Sequence, residues 1–446
     1  MNIRQKKKAG CVWLILILML SGICACDTEK NSAESWETPQ EILYQSGLKE
    51  ESAAENISAA GGSAATGESV AADRTDDDNN TTVEQKGYDL PISSEEHQEA
   101  EDDCGRLMPL IYEIYETADR GEGSNVILSD DGLEQMQECL KKAGVPVNTS
   151  ATYSNLENYR TMESFLQACE QGQSGSAVIY TVTYDGGICR KKYSFDGREM
   201  YVLTSQASWF QGKTPVVTNS FYSRIENWRY TEKGWFCYEL CVPEPPEVNE
   251  IVDGSYLIRI RPMDEKFRQL SEQYVFVPGY QGNNLLRTDW DQEHMEDLDY
   301  NGLFEYFYAM KNQIKPDMEA YANGIPKEEF ESLMMEYLPV TEEQLETYAV
   351  FDQDNGVYAW AGRTCLNYAP EFFGTSVPEV VGTRTNPDGT VTLTVDAVCD
   401  MVVCDDALIT HEMTIRLAED GTFQYLGNRI LGDGAERIPS YQYRID

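Results

Sequence analysis

The chain has 446 residues, of which 76 are Asp or Glu and 35 are Lys or Arg, and its formal net charge is −41. A surface this acidic repels the phosphates of nucleic acids and anionic lipid head groups. Nucleic acid is therefore excluded as a partner, and attachment to a membrane has to come from something other than a basic patch. Divalent cations and basic partners are compatible with this charge.

The N-terminus has the pattern of an export signal. Residues 1–10 carry basic and no acidic side chains, and residues 12–19 form an apolar run too short to span a bilayer as a permanent helix. Residues 23–26 (ICAC) resemble a bacterial lipobox, in which an aliphatic and two small residues precede an acylated cysteine. We expect residues 1–25 to be a lipoprotein signal peptide and Cys26 to be the lipidated mature N-terminus. The alternative is an ordinary secretory signal with a chance cysteine at the cleavage site.

Residues 26–103 predict a disordered acidic tether. Stretches such as residues 58–65 and 76–80 lack the apolar side chains needed to offset the entropy of ordering, and their like charges expand the segment. With the lipid on Cys26, the protein is expected on the extracytoplasmic face of the cell membrane, and the tether acts as a spacer.

Residues 104–315 predict an N-terminal α+β domain. Apolar residues recur at intervals of three and four over residues 106–118, which indicates an amphipathic helix. A second helix is expected between the cap Ser129 and Gly144, and a third over residues 162–169. The period then changes to two, and Asp-Gly pairs favour tight hairpins. The expected strands and hairpin lie at residues 177–184, 189–195, 200–208 and 229–238.

The hairpin of residues 229–238 contains the stretch Tyr-Thr-Glu-Lys-Gly followed by aromatic residues. This stretch resembles one in uncharacterised lipoproteins of Gram-positive gut Clostridia, and residues 281–284 and 388–398 are similar to the same group. The resemblance covers residues 104–431. It implies a class of protein and a location, and it implies no catalytic residue.

Residues 316–446 predict a second α+β domain. Helical patterns lie on both sides of the boundary near residue 315, and a capping box at Thr341 opens the last of them. A helical group followed by long antiparallel strands is similar in topology to the nuclear transport factor 2 superfamily. The chain as a whole is therefore expected to be α+β, with two domains that each pack a small helical group on an antiparallel sheet of hairpins. The helices are expected at residues 303–310, 327–337 and 342–349, and the strands at 391–398, 409–417 and 423–430.

One segment resembles part of a calcium loop. Asp297, Asp299 and Asn301 alternate in a stretch that ends in glycine, so their oxygens match the first positions of a loop that converges on one cation. Glu305 stands at the ninth position, but the twelfth, which requires a bidentate glutamate, is Tyr308. These four candidate ligands predict weak calcium binding at best, and no other cofactor is expected. The alternative is that Asp299 or Asn301 caps the following helix.

Cys399, Cys404 and His411 offer zinc-compatible ligands, but their spacing lacks the close pairing of tetrahedral sites. His411 falls on the apolar face of its strand, which favours a hydrogen-bonded core histidine. A disulfide between Cys399 and Cys404 is a further alternative. The other cysteines are expected to be mostly free and buried.

The sequence names no activity. It contains no nucleophile elbow, no phosphate-binding glycine loop and no His-Glu-x-x-His pair. We interpret the chain as a binding or envelope-maintenance module, not an enzyme, whose ligand is a cell-wall glycan, a peptide or a protein. The alternatives are a carboxylate-dependent cell-envelope hydrolase and, third, a solute-binding receptor. Two opposed carboxylates in a pocket would favour the hydrolase, and a shallow aromatic groove would favour binding. Candidates for such a groove, or for the core, are Trp209, Phe210, Trp228, Trp235 and Trp360.

Overall fold

The structure, a computed structural model, describes residues 86–119, 127–210, 212–249, 251–364, 368, 371–401 and 405–445. Within these ranges it contains eight α-helices and fifteen strands, and nearly all strand pairs are antiparallel, which confirms the α+β class. None of the helices in these ranges has the length and apolar composition needed to cross a membrane. The expected signal peptide, Cys26 and most of the expected tether lie outside the described residues.

The first sheet consists of seven strands: β1 (Val147–Thr149), β2 (Gly175–Val182), β3 (Ile188–Phe195), β4 (Met200–Phe210), β5 (Thr214–Tyr230), β6 (Trp235–Leu240) and β7 (Ser255–Arg259). They lie side by side in chain order. β1 is parallel to β2 and every later pair is antiparallel, which confirms the expected meander. The Asp-Gly turns form because Gly186 and Gly197 adopt positive φ angles of 77° and 103°.

Three helices cover the two faces of this sheet: α1 (Ser94–Thr117), α2 (Asp130–Lys142) and α3 (Arg160–Glu170). Successive side chains of a strand point to opposite faces of the sheet. In β2, Tyr180 and Val182 share a hydrophobic cluster with α1 and α2, whereas Ala177 and Ile179 share another with α3. Each face of the sheet therefore has its own core.

The start of α1 corrects one expectation. The helix begins at Ser94, within the segment that we expected to be disordered, and Ser93 and Glu96 form a capping box at its start. Arg190 of β3, whose side chain is fully buried, donates to Glu99 at 2.8 Å and to Asp103 at 2.9 Å. The tether expectation was wrong for residues 94–103, because Glu99 and Asp103 in this stretch are ion-pair partners that hold α1 on the sheet.

A second sheet has five strands in the spatial order β12, β13, β14, β15 and β8, and a small sheet is formed by three two-residue strands. Helices pack against the second sheet, as expected for the C-terminal part, and the topological analogy to nuclear transport factor 2 stays a prediction. The strands are β8 (Trp290–Asp291), β9 (Ile325–Pro326), β10 (Phe351–Asp352), β11 (Val357–Tyr358), β12 (Val377–Thr385), β13 (Val391–Val398), β14 (Ile409–Leu417) and β15 (Phe423–Ile430). The helices are α4 (Glu265–Tyr274), α5 (Tyr300–Asn312), α6 (Lys327–Tyr337), α7 (Glu342–Tyr348) and α8 (Gly434–Arg437).

The expected domain boundary between residues 315 and 316 falls inside a continuous core. One hydrophobic cluster contains residues from Tyr274 to Tyr425, and Phe307 of α5 stacks on Tyr425 of β15 with ring centroids 6.0 Å apart. β8 also precedes residue 315, and it pairs with β15. The core therefore groups α4, α5 and β8 with the second sheet, because the apolar side chains of α5 face that sheet.

Charged pairs connect the two sheets. Lys233, in the turn between β5 and β6, lies 2.7 Å from Asp396 of β13, whose side chain is 3% exposed. Arg259 of β7 donates to Glu379 of β12, and its guanidinium lies 4.1 Å from the ring centroid of Trp235. The side chains of Asp396, Arg259 and Glu379 are largely removed from water at these contacts, so separating the sheets would leave them unpaired or require their hydration.

Candidate functional site

Two side chains of the candidate calcium loop, Asp299 and Asn301, already form hydrogen bonds within the protein. Asp299 is the N-cap of α5, where its Oδ1 accepts a hydrogen bond from the Gly302 N–H at 2.7 Å. Asn301 accepts from the Val350 N–H at 2.9 Å, which ties the helix start to the segment after α7. Burial also raises the pKa of Asp299. The capping alternative is therefore confirmed for Asp299.

Glu305 is paired with an arginine that the sequence interpretation did not consider. The Arg444 and Glu305 side chains are 2% and 8% exposed, and Arg444 Nη1 lies 3.1 Å from Glu305 Oε2. Arg444 Nη2 also donates to the carbonyl oxygens of Gly282 at 3.0 Å and Gly302 at 3.2 Å. An internal guanidinium thus supplies positive charge at the expected calcium loop. Within the described ranges, no group of three or more His, Cys, Asp or Glu residues is arranged to hold a metal ion, and Asp297, Asp299, Asn301 and Glu305 belong to no such group.

His411 is the core histidine that its strand position predicted. Its Nε2 lies 2.8 Å from the Tyr280 hydroxyl and its Nδ1 lies 2.6 Å from the side-chain Oδ1 of Asn428, so both ring nitrogens already have partners. Burial lowers the pKa of His411 to about 4. Cys399 is a buried free thiol, and Cys404 lies outside the described residues. Zinc therefore cannot bind either ring nitrogen of His411 without breaking the hydrogen bond that this nitrogen already makes.

Five other cysteines also have free thiols, and three of the five are buried, in line with the expectation of mostly free and buried cysteines: Cys104, Cys139, Cys169, Cys189 and Cys241. Desolvation raises the pKa of the Cys104 thiol to about 12, and of the Cys169 thiol to about 11. Raised pKa values make thiols poor nucleophiles at neutral pH. These two cysteines are therefore packing groups of the two cores of the first sheet.

The groove that best fits a ligand lies where the end of α1 meets the end of β4. It has a volume of about 620 Å³ and opens to solvent. Tyr115 and Trp209 stack with their centroids 5.4 Å apart and their planes at 27°, and the edge-on ring of Tyr112 lies 5.0 Å from Trp209. We call this the aromatic groove, and its lining residues are Tyr112, Tyr115, Glu116, Ala118, Asp119, Trp209 and Gly212.

Two backbone features fix the aromatic rings. The Trp209 indole N–H donates to the Gly186 carbonyl oxygen at 2.9 Å, which anchors the ring to the turn between β2 and β3. Gly186 itself has no room for a side chain, because a Cβ there would lie 2.2 Å from the ring of Tyr115. The Asp-Gly turn therefore does more than reverse the chain: it lets Tyr115 approach the sheet closely enough to stack on Trp209.

The rim of the aromatic groove is charged. Glu116 and Asp119 are exposed, and the Tyr112 hydroxyl donates to Glu116 Oε1 at 3.0 Å. Lys213, from the turn between β4 and β5, places its Nζ 4.7 Å from the ring centroid of Tyr112. The groove therefore combines aromatic faces with carboxylates, and an ammonium group of the protein itself lies on one of those faces.

The five aromatic residues proposed from the sequence fall into two groups in the structure, those at the aromatic groove and those in the core. Trp209 lines the aromatic groove, and the neighbouring Phe210 is 55% exposed. Trp228, Trp235 and Trp360 belong to hydrophobic clusters or pack against them, so they are core residues. The sequence analysis did not identify Tyr112 and Tyr115 as groove residues, because their spacing on a helix is typical of core residues. The sequence signal that could have identified them is Glu116, which lies one helical turn after Tyr112 and indicates a partly exposed face of α1.

A second groove, also of about 620 Å³, lies across the exposed face of the second sheet. Glu412 stands between two arginines there, 3.4 Å from Arg384 and 2.6 Å from Arg429. On the edge strand, the His294 ring lies 2.9 Å from Asp291, and this contact raises the pKa of His294. The polar groups of this groove already pair with each other, whereas the aromatic groove is lined by the half-buried rings of Tyr115 and Trp209 beside the buried ring of Tyr112.

The fold and the grooves together define a class: an α+β protein of two packed sheets that carries a solvent-open aromatic groove on its first sheet. The chain belongs to the Family of unknown function (DUF6070), whose model matches residues 97–444. The matched segment begins within α1, so the helix that we had divided between tether and domain lies almost wholly inside it. No curated protein and no solved structure matches the chain.

Proposed function

We propose that the protein is a membrane-anchored extracytoplasmic lipoprotein that acts as a binding module, with the aromatic groove as its ligand site. The observation that carries this proposal is the convergence of Tyr112, Tyr115 and Trp209 around one groove of about 620 Å³. Ligand sites are typically clefts of roughly 300–1,000 Å³ in which aromatic side chains supply contact area and a few polar groups fix orientation. The volume, the rings and the rim carboxylates fit that description.

The location rests on the N-terminal sequence. A basic segment, a short apolar run and the lipobox-like residues 23–26 support export followed by acylation of Cys26. An anchored protein meets its ligand in the cell envelope, so we expect the ligand to be an envelope component. The net charge of −41 disfavours strongly anionic polymers as ligands.

Fractionation of cells tests the anchor. Cys26→Ser removes the only thiol that the lipobox interpretation acylates, so this variant is expected in the soluble fraction. Cys24→Ser is the matched control, because it changes a cysteine two residues away and keeps a small side chain at that position. If Cys26→Ser stays with the membranes as the wild type does, the anchoring proposal is wrong.

Co-sedimentation with isolated cell envelopes tests the groove. The Cys26→Ser chain serves as a soluble background, into which Tyr115→Leu and Trp209→Leu are introduced separately. Removing one aromatic surface is expected to weaken envelope binding about tenfold. Tyr256→Leu, which alters a 39% exposed aromatic ring on β7 outside the groove, is the matched control and is expected to bind normally. Equal binding by all four proteins would refute the groove as the ligand site.

A carboxylate-dependent hydrolase is the second candidate, because Glu116 and Asp119 both line the groove. The two residues lie three positions apart at the end of α1, so they rise from one wall, whereas paired-carboxylate hydrolysis uses carboxyl groups on opposite sides of the bond. Soluble fragments released from envelopes by the wild type, and not by Glu116→Gln, would favour the hydrolase over the binding module.

A further inference from the structure

The aromatic groove already holds a positive charge. Lys213 Nζ lies 4.7 Å from the ring centroid of Tyr112, within the distance of about 6 Å at which a cation is attracted to the face of an aromatic ring. Lys213 is exposed, and it follows Gly212, which has a positive φ of 84° in the turn between β4 and β5. A long flexible side chain on an exposed turn can move away from the ring without disturbing a strand.

The surroundings of this ammonium group suit a cation. Glu116 and Asp119 line the same groove and supply negative charge, and the Tyr112 hydroxyl that donates to Glu116 holds one carboxylate next to the ring. Tyr115 and Trp209 stack on each other next to Tyr112 and add aromatic surface to the groove. An aromatic ring face next to carboxylates attracts an ammonium group, because the ring quadrupole and the negative charges both favour a cation there.

We propose that the aromatic groove recognises an organic ammonium group of the ligand, and that Lys213 is an internal occupant which the ligand displaces. This inference rests on the proposed function and names the chemistry that the site selects. A primary ammonium, as in a lysine side chain or an amino sugar, and a quaternary ammonium, as in a choline head group, share this chemistry.

The test uses the full mature chain with Cys26→Ser and follows the indole N–H signal of Trp209 by nuclear magnetic resonance. The protein has seven tryptophans, and a Trp209→Phe variant assigns the signal. Choline is titrated against 3,3-dimethylbutan-1-ol, its uncharged isostere, and n-butylammonium is titrated against n-pentanol. We expect each cation to bind about tenfold more tightly than its neutral counterpart. The cation that binds more tightly indicates whether the natural ligand carries a primary or a quaternary ammonium.

Two exposed residues test the roles assigned to the rim and to the internal occupant. Glu116→Gln keeps a hydrogen-bond acceptor and removes the charge, so cation affinity should fall about threefold, while Glu113→Gln on the same helix outside the groove should leave it unchanged. Lys213→Met removes the occupant, so cation affinity should rise about threefold or more. Lys142→Met, which removes an equal charge from an exposed position on α2, should not produce this rise.

Equal affinity for the cations and their neutral isosteres would overturn the inference, as would a Trp209 signal that no cation shifts. A Lys213→Met variant that binds no better than Lys142→Met would refute the displacement. These results are separable from failure of the proposed function, because envelope binding that depends on Tyr115 and Trp209 would then persist without cation selectivity.

Discussion

Replacing Arg444 with methionine should cost the protein a large part of its stability. The side chains of Arg444 and Glu305 are 2% and 8% exposed, so the substitution leaves a carboxylate buried without its guanidinium. Breaking a buried ion pair by removing one partner costs about 3–5 kcal/mol. The carbonyl oxygens of Gly282, Gly302 and Ala361 also lose a hydrogen-bond donor, and this loss adds to the cost in unfolding free energy.

Urea unfolding followed by circular dichroism measures this free energy. Arg429→Met is the matched control, because Arg429 also pairs with a glutamate but is 68% exposed, so its loss should cost less than about 1 kcal/mol. Adding Glu305→Gln to Arg444→Met removes the stranded charge and should restore part of the loss. If the Arg444 variant unfolds within about 1 kcal/mol of the wild type, the pair does not hold the expected calcium loop in place.

Three further predictions follow from other buried groups. Thermal melts in millimolar calcium and in chelator should give the same melting temperature. A calcium site with the ion at 100 times its dissociation constant would add about 2.7 kcal/mol of stability. A higher melting temperature in calcium that Asp297→Ala abolishes would therefore contradict the assignment of these side chains to internal contacts. Burial lowers the pKa of His411 to about 4 in the folded protein. Between about pH 4 and pH 6.5 the unfolded chain therefore binds more protons than the folded chain. About 3 kcal/mol of stability is present above pH 6.5 and is lost as the pH falls toward 4. His411→Gln should therefore reduce the difference between unfolding free energies at pH 7 and pH 4.5, and an undiminished difference would refute this. A chain that begins at residue 104 should be about 3–5 kcal/mol less stable than one that begins at residue 86, because the buried Arg190 loses Glu99 and Asp103; equal urea midpoints would show that this pairing is not needed.

Local patterns in the sequence predicted much of the fold. The Asp-Gly pairs placed the hairpins of the first sheet, and the capping box at Thr341 placed the start of α7. Such signals act over a few residues, so they are visible without a structure. The alternation of His411 with its strand neighbours likewise predicted a core histidine correctly.

The features that the sequence did not reveal all involve partners that are distant along the chain. Glu99 and Arg190 are 91 residues apart, so an acidic stretch that pairs with a buried arginine looked like a solvated tether. Glu305 and Arg444 are 139 residues apart, so the sequence did not show that this candidate calcium ligand has an internal cation as its partner. The aromatic groove could not be predicted for the same reason, because Tyr115 and Trp209 are distant in sequence and meet only when α1 lies on the first sheet.

The central claim, that the aromatic groove is where the ligand binds, is tested most directly by hydroxyl-radical footprinting of the full mature chain with isolated cell envelopes. Oxidation of Tyr115 and Trp209 is expected to fall when envelopes are added. Oxidation of Tyr256 and Tyr443, which are 39% and 46% exposed elsewhere on the surface, should not change. Envelope binding that protects Tyr256 or Tyr443 and leaves Tyr115 and Trp209 as reactive as before would contradict the account.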